Sequence, residues 1–166
     1  MSQHVLQQKA YTFFYGKSPF SQWHPSKFTI EGREFTCAEQ YMMFAKAEAF
    51  VDQATAEAIM TTDVPWQHKR LGRQVKNFNE DVWKAIRERV VMKGSRAKFT
   101  QNLDLCDALL ATAGTMLVEA SSYDQIWGIG LGMDDPKKED PNNWRGLNLL
   151  GKILTELRED LKNETV

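Results

Sequence analysis

The sequence predicts a helix-rich α+β fold, predominantly helical with a few short strands, in one compact domain. Three observations carry this. Six stretches show helical spacing of apolar residues, strong helix formers or helix-start signals. The β-prone runs are few, short and bounded by turn residues. The 166 residues contain no internal repeat and no second-domain linker, and a chain of that length buries a core without staples. Five Trp, nine Phe and seven Met supply bulky core material.

Residues 1–10 are polar and read as a loosely held lead-in to a single domain over residues 11–163. Tyr11-Thr12-Phe13-Phe14-Tyr15 is aromatic and β-prone, and Gly16-Lys17-Ser18-Pro19 ends it, so a short buried strand is expected. Residues 20–25 form an aromatic and polar loop. Phe28-Thr29-Ile30 and Arg33-Glu34-Phe35-Thr36 flank Glu31-Gly32, a two-residue hairpin signal with Gly at a positive-φ position. That hairpin runs straight into Thr36-Cys37-Ala38-Glu39-Gln40-Tyr41-Met42-Met43-Phe44-Ala45-Lys46-Ala47, rich in good helix formers and free of Gly and Pro. Thr36 with Glu39 three residues on is a capping-box pattern, which starts the helix near Thr36.

A second short helix is expected over residues 52–60, and Pro65 starts a third that runs to about Val75. The third carries His68, Lys69, Arg70 and Arg73, the densest basic cluster of the chain. A solvated face explains it, and an anion site is the alternative. Asn79 can cap a longer helix through about Phe99, with Val82, Trp83, Ile86 and Val90 as its buried stripe and Lys84, Arg87, Glu88 and Arg89 on a wet face. Residues 103–113 make another helix, which Gly114 ends, and Met116-Leu117-Val118-Glu119-Ala120 reads as a buried strand. Residues 147–162 form a final helix whose Leu150, Ile153, Leu154, Leu157 and Leu161 are a packing stripe.

Composition narrows the function. The formal charge of −1 leaves no overall basic field for non-specific nucleic-acid binding, though a local patch is allowed. Cys37 and Cys106 have neither metal-ligand spacing nor the pattern of a disulfide framework, which fits a reducing cytosol. His4, His24 and His68 are scattered, so no metal site is expected. The first residues lack an apolar signal-peptide core, and no run approaches a membrane span. A soluble cytoplasmic protein without membrane partners is expected.

Three segments stand out as a candidate site. Glu39 and Lys46 lie seven residues apart, which returns them to nearly one helix face about 10 Å apart along the axis. Such pairs are common, and Glu39 as a cap above core Met42, Met43 and Phe44 is the simpler account of spacing alone. The aromatic loop at residues 20–25 and the alternating glycines of Trp127-Gly128-Ile129-Gly130-Leu131-Gly132 are the other two. Trp23 and Trp127 could sandwich a base, or be core. The glycine loop could hold phosphate on backbone N–H groups, or be a tight turn, and it does not match the dinucleotide GxGxxG pattern. A lysine beside Met and Phe could serve as an amine nucleophile.

With these residues in hand, the sequence resembles the NADAR family, also called the YbiA-like family. The resemblance is carried by Phe14-Tyr15, Phe20-Ser21-Gln22-Trp23, residues 28–32, Ala38-Glu39-Gln40-Tyr41-Met42-Met43-Phe44-Ala45-Lys46-Ala47, Ile126-Trp127-Gly128-Ile129-Gly130-Leu131 and Trp144-Arg145-Gly146-Leu147-Asn148-Leu149-Leu150-Gly151. These span nearly the whole chain in the family's order. The resemblance implies a compact α+β, helix-rich fold and hydrolysis of an N-glycosidic bond to a phosphorylated ribose. Two substrate classes go with it: ADP-ribose on guanine, including ADP-ribosylated nucleic acid, and aminopyrimidine ribose phosphates of early riboflavin synthesis.

By the same resemblance, Glu39 handles the proton of the departing nitrogen or activates water, and Lys46 adds to C1 of the ring-opened ribose as a Schiff base or stabilises the transition-state geometry without covalency. Phe20, Trp23 and Tyr41 would line the base, with Ser21 beside them. Trp127, Gly128, Ile129, Gly130 and Leu131 would hold phosphate or ribose, and Arg73 a second phosphate. No metal and no cofactor are implied. Two departures bear on the substrate. Ala38-Glu39-Gln40-Tyr41 stands where many members read Ser-Glu-His-Tyr, and Trp127-Gly128-Ile129-Gly130 where some riboflavin-type members read Trp-Gly-Asp-Gly, so that Asp134 or Asp124 would have to replace that acid. The reading adopted is removal of ADP-ribose from guanine. Breakdown of riboflavin intermediates and a non-catalytic ADP-ribose or NAD-binding module are the alternatives.

Overall fold

The computed structural model describes residues 9–164. Their elements run β1 (Tyr11–Phe14), β2 (Phe28–Ile30), β3 (Arg33–Phe35), α1 (Ala38–Ala49), α2 (Gln53–Met60), α3 (Pro65–Gly72), α4 (Glu80–Thr100), α5 (Leu103–Leu110), β4 (Met116–Glu119) and α6 (Leu149–Glu164). Two short 3-10 turns, Pro136–Glu139 and Pro141–Asn143, occupy the charged loop before α6. The α+β, helix-rich architecture expected from the sequence is observed. Apart from exposed Lys9 and Ala10, the lead-in over residues 1–10 lies outside the described residues. No described helix is long and apolar enough to cross a membrane.

The hairpin forms for the reason its turn residues suggest. Glu31 and Gly32 both take positive φ, 52° and 80°, as the two central residues of a hairpin turn of this twist must. Its strands register Phe28 opposite Phe35, and those rings stack at 5.8 Å. Thr29 then exchanges two hydrogen bonds with the Gln101 side chain, 2.7 and 2.8 Å, which straps the hairpin to the end of α4. The chain therefore enters α1 from a fixed direction.

The capping box does not form. α1 begins at Ala38 with Cys37 as N-cap and no side-chain cap. Instead the Gln40 amide oxygen accepts from the Thr36 backbone N–H and hydroxyl, while its NH2 donates to the carbonyls of Ile59 and Thr62. Gln40, buried to 1%, ties three segments together, and the Glu39 carboxyl is left free of capping duty.

Helix α1 lies at the centre, packed on α2, α3 and α4. Small residues set the close approaches: Ala47 of α1 and Ala56 of α2 are fully buried, and a Cβ on Gly94 of α4 would come within 2.6 Å of the Tyr41 ring. The α4 stripe is rotated from the one expected. Trp83, Arg87, Val91, Gly94, Ser95, Lys98 and Phe99 are its buried residues. Val82 is 46% exposed, and Ile86 and Val90 are only half-buried. Because α4 is covered by α1, α6 and the hairpin strand β2, its inward arc takes in Arg87 and Lys98, which the periodicity of apolar residues alone assigns elsewhere. On the far side, β1 and β4 pair in parallel from Tyr11–Met116 to Phe14–Glu119, and α6 covers β4.

Candidate active site

A cavity of about 890 Å³ opens where the carboxyl ends of β1 and β4 meet one face of α1. From α1 come Glu39, Met42, Met43 and Lys46, at spacings of three, one and three residues, so one helix face supplies them all. Helix α3 contributes Lys69 and Arg73. Tyr15 and Gly16 follow β1, Glu119 ends β4, and Ser21, Gln22, Trp23, Asp124 and Trp127 come from the two long loops.

Each loop is held by a buried polar residue. The Glu39 backbone N–H donates to the Gln22 carbonyl at 2.9 Å, joining α1 to the turn before it. Beneath that turn the Lys98 ammonium, 1% exposed, donates to the carbonyls of Pro19 and Ser21 at 2.7 and 2.9 Å. On the other side Asn148 sits fully buried at a positive φ of 52°. Its side chain accepts from the Glu119 N–H at 3.0 Å and donates to the Leu117 carbonyl at 3.1 Å. Glu119 is thereby fixed at the strand's end. Asp124 accepts from the N–H groups of Ile126 and Trp127, which turns Trp127 toward the cavity.

The electrostatics are those of a site. Burial pushes the Glu39 carboxyl up to about 7; Lys69, Lys46 and Arg73 oppose the rise and Asp124 adds to it. Burial likewise raises Glu119 to about 8, with Asp124 and Glu39 adding repulsion. One Glu119 oxygen, Oε2, is buried without a hydrogen-bond partner. Such an oxygen is costly to keep unless a ligand meets it. The Lys46 amine is lowered, chiefly by burial, and lies over the rings of Phe78 and Trp83 at 4.5 and 5.8 Å. Two carboxyls that hold protons near neutrality and one weakened amine therefore face a single space.

Of the residues the sequence nominated, Glu39, Lys46, Ser21, Trp23, Arg73, Trp127 and Asp124, offered with Asp134 as the replacement acid, line this cavity. The others do not. Phe20 is 9% exposed and packs between Phe14 and Phe99, because the turn that presents Trp23 sends Phe20 into the core. Tyr41 lies on the opposite side of α1, edge-on to Phe35 and against Gly94. Ile129 and Leu131 are buried with Val118 in a second core cluster. Gly128 and Gly130 are close-packed against backbone and Arg145. Asp134 is exposed and lines neither this cavity nor its neighbour. Four N–H groups of the glycine loop are taken up within the chain: those of Ile129 and Gly130 donate to the carbonyls of Glu119 and Asp124, and those of Ile126 and Trp127 to the Asp124 side chain.

Glu119 and Lys69 escaped attention as site residues. Glu119 had a signal, a carboxylate closing an otherwise apolar strand. Lys69 had none beyond the basic cluster, whose members part company here. Lys69 and Arg73 face the cavity, Arg70 stacks on Trp66, and His68 is fully buried between Thr62 and Cys37. The Cys37–His68 contact, 3.6 Å, is no nucleophile pair, because burial pushes the thiol up to about 11 and Cys37 does not reach the cavity. Among the described residues no three His, Cys, Asp or Glu side chains are grouped to hold a metal ion.

This geometry belongs to a known family of sequences. A profile of the NADAR domain matches residues 13–162. A protein of Acanthamoeba polyphaga mimivirus, named as an N-glycosidase, is 41% identical over 167 residues, covering 93% of this chain and 98% of its own length. The N-glycosidase YbiA of Escherichia coli is 34% identical over 168 residues, covering 98% of this chain and 94% of its own. The NMR structure of the E. coli protein YbiA superposes with a TM-score of 0.78 at 31% identity, over 98% of this chain and 92% of that one.

Proposed function

The chain belongs to the NADAR family, and from that premise we propose that it is an N-glycosidase that removes ADP-ribose from guanine. The observation that carries this reading is the convergence of Glu39, Glu119 and Lys46 on one cavity. Cleaving an N-glycosidic bond requires a proton for the departing nitrogen and a nucleophile for C1 of the ribose. Glu119, raised to about 8, holds a proton at neutral pH and delivers it to the base. Glu39, raised to about 7, exchanges protons in the same range and takes one from the Lys46 ammonium. The freed amine adds to C1. It contributes two hydrogens in all, one to the ring oxygen as the ring opens and one that returns, through the carboxyls, to replace the proton given to the base. The product is a Schiff base, which water hydrolyses to the free sugar and the amine.

Size and the fate of Ile129 support guanine-linked ADP-ribose over a pyrimidine ribose phosphate. The cavity lies toward the upper end of the roughly 300–1,000 Å³ range of small-molecule sites. It adjoins a second space of about 460 Å³ through shared walls. Ile129 stands where some riboflavin-type members carry an acid, and its side chain is sealed in the core.

The test is hydrolysis, followed by mass spectrometry, of an ADP-ribosylated guanine oligonucleotide and of the two aminopyrimidine ribose phosphates, with borohydride present to trap an imine. Release of ADP-ribose, with a borohydride adduct on Lys46, is expected. Lys46→Met should lose the adduct and about 100-fold or more of the rate. Release of ribose 5-phosphate from the pyrimidines alone would overturn the substrate. Tight ADP-ribose binding without hydrolysis would make the protein a binding module. Turnover without an adduct would leave Lys46 as a charge.

A further inference from the structure

The neighbouring cavity of about 460 Å³ shares Lys46, Arg73, Ile126 and Trp127 with the reaction cavity. Phe78, Trp83 and Trp127 wall it, and Arg87 reaches it from α4. Arg87 is the unusual feature. Its residue is 8% exposed, its Nε is buried without a hydrogen-bond partner, and no carboxylate pairs with it among the described residues. Its recorded contact is with the Trp127 ring, 6.0 Å away. A guanidinium cannot shed its charge as a buried lysine can, so an unpaired one in a low-dielectric wall is unfavourable unless an anion completes it.

The surroundings name the sign of that ligand. Lys46 and Arg73 line the same space, and neither has an ion-pair partner among the described residues. The one carboxylate there, Glu80, is 56% exposed and pairs with Lys84. Three cations and one outward-facing anion leave the cavity positive, while the reaction cavity next door sets Lys46, Lys69 and Arg73 against Glu39, Glu119 and Asp124. The unbalanced positive charge thus lies on the Arg87 side of the shared Lys46 and Arg73.

We infer that this second cavity is the phosphate subsite of the enzyme, with Arg87 as the fork that binds the phosphate or pyrophosphate carried by the substrate's ribose and Arg73 as its second cation. The inference rests on the N-glycosidase reading for the identity of the substrate, but not for the existence of an anion site. It also orients the substrate. A phosphate on Arg87 lays the ribose against Lys46 and sends the base toward Glu39, Glu119 and Trp23. Arg is suited to this because its planar donors match two phosphate oxygens at once.

The experiment titrates inorganic pyrophosphate into the wild-type protein and Arg87→Met, which keeps the side-chain volume without the charge, and reads the change in intrinsic tryptophan fluorescence, to which Trp83 and Trp127 of the cavity wall contribute. Affinity should fall on the order of 10- to 100-fold in the variant. Arg87→Lys should lie between the two, and it keeps the test valid if the methionine variant does not fold. In parallel, kcat/KM is measured on ADP-ribosylguanine and on ribosylguanine without the pyrophosphate. Arg87→Met should collapse the preference for the phosphorylated substrate by a similar factor. Thermal stability separates binding from scaffolding: the variant should melt at or above wild type, and pyrophosphate should raise the melting temperature of wild type alone. Wild type that ignores pyrophosphate, or variants that bind it equally and keep the preference, would overturn the inference. Pyrophosphate binding through Arg87 with no turnover of either substrate would uphold the anion site and refute the guanine-linked substrate.

Discussion

Replacing Glu39 by Gln should make the protein more stable and inactive at once. Glu39 is 5% exposed, and burial holds its carboxyl at about 7 against an ordinary 4.5. The folded state therefore binds that proton more tightly than the unfolded chain does. Below pH about 4.5 both states are protonated and the carboxyl is no burden. As pH rises from 4.5 toward 7 the unfolded chain gains by ionising while the folded one does not, and stability declines across that window. Above it the gap corresponds to about 3 kcal/mol. An uncharged Gln of the same shape removes that term. At pH 8 the E39Q variant should exceed wild type by about this much, or about 6–12 °C in Tm for a domain of this size. At pH 4 the two should coincide. Thermal unfolding by circular dichroism at a series of pH values measures the difference; Glu119 titrates in both proteins, and less of its rise remains in E39Q, where the Glu39 charge is gone. Activity should fall by roughly 10²–10⁴-fold. An E39Q protein no more stable than wild type at pH 8 would show that partners satisfy the carboxylate, and the argument that this site is held strained for catalysis would fail.

The supports of the site should respond differently. Asn148→Ala removes the acceptor for the Glu119 N–H and the donor to the Leu117 carbonyl. It should cost about 1–3 kcal/mol for each buried group left unpaired, read from urea unfolding. It should also lower kcat by letting Glu119 drift. Lys98→Met leaves the Pro19 and Ser21 carbonyls without their donor. A stability loss of about 1–3 kcal/mol is expected, together with a raised KM, because the turn carrying Ser21, Gln22 and Trp23 is no longer anchored. Unchanged kinetics in Lys98→Met would show that Trp23 and its neighbours are not held by this ammonium.

Local signals account for much of the fold. The hairpin is legible in Glu31-Gly32, the ends of α2, α3 and α4 in Asp52, Pro65 and Asn79, and α6 in its leucine stripe. These devices act within a few residues, so sequence alone exposes them. The misreadings share one cause. Thr36 looks like a cap, but the Gln40 amide, held by carbonyls 19 and 22 residues away, takes its hydrogen bonds instead. Arg87 looks like a solvated charge, since apolar periodicity cannot see a helix covered on several sides. The glycines at 128 and 130 look like a phosphate loop, yet they serve close packing and internal hydrogen bonds.

The sequence by itself determined which helix brings a carboxylate and an amine to one face. Seven residues of helix must bring Glu39 and Lys46 to one face, whatever surrounds them. What faces that helix was decided only by tertiary structure. Glu119 lies 80 positions along the chain from Glu39 and enters the cavity because a parallel pairing with β1 ends there and Asn148 holds the strand's last N–H. The protonation of both carboxyls follows from the loss of water around them, a property of the packed cavity. No stretch of chain, read alone, contains it.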